Sequence, residues 1–97
     1  MARAPLKIRW TEAAASDLES AYRFLPQQNR SAEDKLINRI LAAIEILELF
    51  PEMGRPGRVQ GTRELVIAPL IVAYRARATE VQILSVLHGA RKWPHTP

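Results

Sequence analysis

The chain contains no cysteine, which excludes a disulfide scaffold and a thiolate metal site. Histidine is almost as scarce. His88 and His95 stand seven residues apart with no acidic residue between them, too little for a metal centre, so neither metal nor cofactor is expected. No apolar run approaches the ~20 residues that cross a bilayer. The N-terminus lacks the apolar core and small-residue cleavage site of a secretory leader. No membrane partner is therefore expected, and the expected compartment is the cytoplasm. A Gly-x-x-x-x-Gly-Lys-Ser/Thr loop is missing too, and no helix follows the glycines of 51–61, which argues against nucleotide binding. The serines (Ser16, Ser20, Ser31, Ser85) come with neither a nucleophile elbow nor a partner histidine at a meaningful spacing, so serine–histidine hydrolysis has no support.

What is present is one domain's worth of ordinary globular sequence: 97 residues, 47% hydrophobic and 25% charged. The charge is distributed unevenly. Residues 12–52 carry Glu12, Asp17, Glu19, Glu33, Asp34, Glu45, Glu48 and Glu52 against Arg23, Arg30, Lys35 and Arg39. Residues 53–97 carry Arg55, Arg58, Arg63, Arg75, Arg77, Arg91 and Lys92 against Glu64 and Glu80. A net-acidic half joined to a strongly basic half points to an anionic partner, either nucleic acid or an acidic protein segment.

Residues 6–10 alternate apolar and polar and predict a strand. Thr11 follows as a helix N-cap, and Ala14, Leu18, Ala21, Tyr22 and Leu25 form an apolar stripe on a helix over 11–26 that Pro26 stops. Ser31, with Asp34 three residues on, predicts a second capped helix over 31–50, whose apolar face runs from Leu36 to Phe50. The segment 51–61, with two prolines and three glycines, reads as loop. Strands are predicted over 62–68, 70–77 and 80–88, joined at Ala68-Pro69 and Ala78-Thr79 as an antiparallel meander, with a tail over 89–97. The expected fold is α+β, order β-α-α-β-β-β, an antiparallel sheet of about four strands with the helical hairpin on one face. The other face, or its rim, is where function is expected.

Strict alternation in the last two strands would put Ile71, Ala73 and Arg75 on one face, and would group Gln82, Leu84, Val86 and His88. Arg63 and Glu64 point to opposite faces; Glu64 is expected to pair with Arg75 or Arg77, leaving Arg63 available. His88, at a strand end, is a candidate acid or base, or a structural hydrogen-bonder. Trp10 reads as core, whereas Trp93 is either core or an interface platform.

Together, the element order and four strings resemble the ParE/RelE superfamily of type II toxin–antitoxin toxins, more closely ParE. The strings are Pro51-Glu52-Met53-Gly54-Arg55-Pro56-Gly57-Arg58, Gly61-Thr62-Arg63-Glu64-Leu65, Ile71-Val72-Ala73-Tyr74-Arg75 and Val86-Leu87-His88-Gly89-Ala90-Arg91. The ParE resemblance implies a toxin that poisons DNA gyrase, blocks replication and arrests growth. The RelE resemblance implies a ribosome-dependent mRNA endoribonuclease, for which His88, Arg63, Arg75 and Arg91 are the catalytic candidates. RelE-type toxins typically carry an arginine shortly before the tyrosine of the middle strand, and Ile71 holds that place here, which turns the balance away from an enzyme. Either resemblance implies an acidic antitoxin that wraps the toxin as a heterodimer or heterotetramer. Arg55, Arg58, Arg63, Tyr74, Arg75, Arg77, Arg91 and Trp93 are the candidates for target or antitoxin binding. A degenerate, non-toxic binding module is the further alternative.

Overall fold

The computed structural model describes residues 4–24 and 30–89, with the backbone alone at 24, 30 and 33. The elements are β1 (Lys7–Trp10), α1 (Glu12–Phe24), α2 (Arg30–Ile46), β2 (Arg55–Pro56), β3 (Arg63–Ile67), β4 (Leu70–Ala76) and β5 (Glu80–His88). They build a five-stranded sheet of order β1-β5-β4-β3-β2. Strands β2 to β5 run antiparallel, as a meander should, but β1 pairs parallel to β5. The sheet is therefore mixed rather than antiparallel: the helical connection delivers the chain into β2 running opposite to β1, and the three reversals from β2 to β5 bring β5 parallel to β1. The fifth strand, β2, was hidden in a stretch that reads as loop: it is two residues long, and its proline lacks an N–H to betray a ladder.

Helix α1 starts as its sequence dictates. The Thr11 hydroxyl accepts the Ala14 amide at 3.1 Å, and the Thr11 carbonyl accepts Ala15 at 3.0 Å. The same hydroxyl donates to the Ile83 carbonyl at 2.9 Å, fastening the cap to β5. Where β1 ends, α1 takes over the edge of β5. The Asp17 carboxylate accepts the Ser85 hydroxyl at 2.7 Å and the Val86 amide at 3.1 Å.

The second cap differs from expectation. Helix α2 begins at Arg30, so Ser31 lies within its first turn, and Asp34 accepts the Tyr22 hydroxyl at 3.1 Å instead of closing a capping box. The helix proper also ends early, at Ile46, with a tighter turn following through Leu49. Phe50, past that turn, is 60% exposed, and Leu41, within the helix, is 44% exposed, so both lie off the apolar face assigned to them. Pro26, Leu25, the turn 27–29 and the tail 90–97 lie outside the described residues.

The core lies between the helices and one sheet face. Ala14, Ile40, Ile44 and Leu47 meet Leu65, Ile67, Leu70, Val72, Tyr74, Val81, Ile83 and Val86. Trp10 packs against this cluster, as expected. One irregularity decides which side chains reach it. Ala73 pairs with Ser85 and Tyr74 with Ile83, so Leu84 is the extra residue of a β-bulge. The bulge breaks alternation along β5: Gln82 lies on the face away from the helices, while Val86, which strict alternation would place beside it, enters the core. No helix among the described residues is long and apolar enough to cross a membrane.

Candidate functional site: a basic face opposite the helices

Register assigns the arginines to faces. On β3 and β4, Leu65, Ile67, Leu70, Val72 and Tyr74 are in the core, and Arg63 pairs with Tyr74, so Arg63 belongs to the helix side. Glu64 pairs with Ala73 and Arg55, which places them on the opposite face. The cross-strand row Arg9–Gln82–Arg75 is on that face too, followed by Lys7–Glu80 with Arg77, whose amide bonds the Glu80 carbonyl at 2.7 Å. With Arg58, which reaches the Glu64 carboxylate, six cations share this face with Glu64 and Glu80.

The two carboxylates have different tasks. Glu64 is 2% exposed and is held at 3.0 Å by Arg55, at 3.5 Å by the Arg58 guanidinium and at 3.1 Å by the Arg58 amide. These charge-assisted donors offset the cost of taking the carboxylate out of water. Glu80 accepts Gln82 at 2.8 Å and Arg9 at 3.5 Å. Lys7, Arg75 and Arg77 have no side-chain partner among the described residues. The expected pairing of Glu64 with Arg75 or Arg77 therefore does not form: β2, unseen in the sequence, brings Arg55 and Arg58 to Glu64 first.

On the helix side, Arg63 and Tyr74 are both committed to the 51–58 segment. The Tyr74 hydroxyl donates to the Pro51 carbonyl at 2.7 Å and accepts the Gly54 amide at 2.8 Å. Arg63 donates to the carbonyls of Gly54 at 2.8 Å and Glu52 at 3.3 Å. Any side chain at Gly54 would stand 2.7 Å from the Tyr74 ring and 2.9 Å from the Glu64 carbonyl, so only glycine fits. Burial is the chief cause that pushes the Tyr74 phenol above its ordinary 10.0, with Glu52 adding to it and the Gly54 amide and Arg63 opposing. Arg63 is thus a structural clamp rather than an available cation.

Among the described residues, the catalytic candidates do not converge. His88 is exposed at the end of β5 opposite Leu70, so it lies roughly 13 Å along the ladder from the Arg63–Tyr74 pair and roughly 16 Å from Arg75. Ile71 is buried against Leu87 on the face away from the helices and offers no charge. Arg91 and Trp93 lie outside the described residues. Among the described residues, no group of three potential metal ligands comes together. What the site can do chemically is bind anions over a wide surface.

Residues 8–93 match the model of the ParE toxin of the type II toxin–antitoxin system parDE. The chain belongs to the ParE toxin family. This ParE-family chain is 38% identical over 90 residues to Y4kP, a proposed toxin of Sinorhizobium fredii, covering 91% of the chain and 93% of the relative. Among solved structures it is similar to a chain of the chromosomal ParDE system of P. aeruginosa, with a TM-score of 0.75 and 25% identity over 89% of this chain and 98% of that one. It is also similar to a chain of the RelBE2 toxin–antitoxin complex of Mycobacterium tuberculosis, with a TM-score of 0.57 and 30% identity over 87% of this chain and 98% of that one. A type II toxin of the ParE/RelE superfamily is therefore what the sequence encodes, in the α+β architecture of that group.

Proposed function

We propose that this toxin arrests growth by poisoning DNA gyrase, and that an acidic antitoxin silences it by covering the basic face. The observation that carries the reading is the ParE family match over residues 8–93. The geometry supports it from the other side. Cleaving RNA without a metal requires charge-assisted donors focused on one phosphate; here Arg63 is held by loop carbonyls, Ile71 is uncharged and His88 stands at the far end of the ladder. The spare cations instead spread over a surface, which suits a broad acidic partner and speeds its association. The relatives from P. aeruginosa and M. tuberculosis were solved as toxin–antitoxin systems, which supports an antitoxin here.

Expression of the chain alone, with gyrase cleavage complexes and mRNA integrity followed in the arrested cells, tests the reading. Trapped cleavage complexes with intact mRNA are expected; undisturbed gyrase would overturn it. Ribosome-dependent mRNA cleavage is the second reading, favoured by the likeness to the RelBE2 toxin–antitoxin chain. It predicts cut mRNA and loss of cutting in H88A.

A further inference from the structure

A cavity of about 550 Å³ opens at one end of the sheet, where the lead-in to β1, the end of the α2 turn and the β4–β5 turn meet. Leu6 and Pro51 are buried and form its floor; Pro5, Ala76 and Ala78 widen the apolar lining. Lys7 and Arg77 are exposed and form the rim on the side that continues into the basic face. Glu52 is the one carboxylate among the described lining residues, and it belongs to the segment held by Arg63 and Tyr74.

We infer that this cavity is an anchor site for an acidic peptide segment: it takes one bulky apolar side chain, while carboxylates flanking that side chain meet Lys7 and Arg77. The inference rests on the antitoxin reading only for the chemistry of the occupant. Its volume is within the ~300–1,000 Å³ of ordinary binding pockets and exceeds what a single leucine or phenylalanine requires. The rim cations have no partner among the described residues, so an incoming carboxylate displaces no existing ion pair. Nucleic acid fits less well. Among the described residues the lining contains no aromatic ring on which a base could stack, so a phosphate strand would satisfy the rim and leave the apolar floor unfilled. Glu52 sets polarity, since the acidic side of the peptide must face Lys7 and Arg77.

Fluorescence anisotropy of the whole chain tests this, using a short labelled peptide with one leucine flanked by glutamates. Replacing that leucine by serine is expected to weaken binding about tenfold, the loss of one buried apolar anchor. The double variant K7E/R77E is expected to weaken binding at least about tenfold and to flatten its salt dependence. A78F, which fills the cavity without changing charge, is expected to weaken it by a similar factor, whereas E52Q tightens it. The remote R39E leaves it unchanged. Indifference to the leucine, to A78F or to K7E/R77E overturns the inference, as does tighter binding of a labelled oligothymidylate. Circular dichroism of each variant separates lost binding from lost folding. If the peptide fails to bind while a co-expressed antitoxin still relieves growth arrest, the anchor site falls and the proposed function stands. If the peptide binds as described but the chain arrests nothing, the reverse holds.

Discussion

Arg63 and Arg75 are one ladder step apart, since Arg63 pairs with Tyr74 and Arg75 is the next residue, yet they face opposite sides of the sheet. Arg63 faces the helices and spends its donors on the carbonyls of Glu52 and Gly54. Arg75 faces away, and its side chain has no partner among the described residues. Both arginines are in the strings that carry the family resemblance. The lesson is that a family arginine in such a sheet is either mortar or contact surface, and that the face decides which. Glu64, Arg55 and Arg58 complicate the division, because they lie on the outward face and still form a closed set.

The sharpest way to break the division is E64A. Removing the buried carboxylate leaves the Arg58 amide without its acceptor and two guanidiniums repelling each other, and a loss of about 3 kcal/mol is expected in urea denaturation. Y74F comes next, at about 2 kcal/mol, since the Pro51 carbonyl and the Gly54 amide lose their partner in a buried place. Tyr74 also gives a pH signature. Its folded-state pKa is raised above the ordinary 10.0, so its contribution is fully present below pH 10.0 and fades as pH climbs through the raised value. Urea midpoints followed to alkaline pH should fall above 10 in the parent chain, and Y74F should remove that component. R63M is expected to lose about 1 kcal/mol by the same measurement, because the loop keeps its Tyr74 bonds. The smallest stability effect belongs to R75E/R77E, within about 0.5 kcal/mol, as for other surface substitutions. If that pair instead destabilises as much as R63M, the contrast between the faces is wrong. If it leaves stability intact but weakens antitoxin relief of growth arrest in a co-expression assay, the contrast is sharpened.

Much of the fold was legible because it rests on local rules. Thr11 as cap, Ala68-Pro69 as the β3–β4 turn and the meander of the last strands follow from capping chemistry, proline and period-two alternation. What failed depends on pairings between distant residues. The bulge at Leu84 has no glycine or proline to mark it, and it exchanges the faces of everything after it. The partner of Glu64 is chosen by a two-residue strand that composition disguises as loop. At the site, the basic face was foreseeable from charge asymmetry, but its membership was not. Arg63 and Tyr74 left it, Lys7 and Arg9 joined it, and only register could sort them. The pairing of Lys7 with Glu80 was the available signal, two alternating strands of like periodicity at opposite ends of the chain.

Parallel pairing of β1 with β5 has a consequence for synthesis. Strand β1 is made long before residues 80–83 and waits for them before it has a ladder. The α1 cap waits as well, since Thr11 bonds Ile83. A growing chain that has not yet reached β5 therefore lacks one edge of its sheet and the seat of its first helix, and the toxin fold closes only once residues 80–83 have been made.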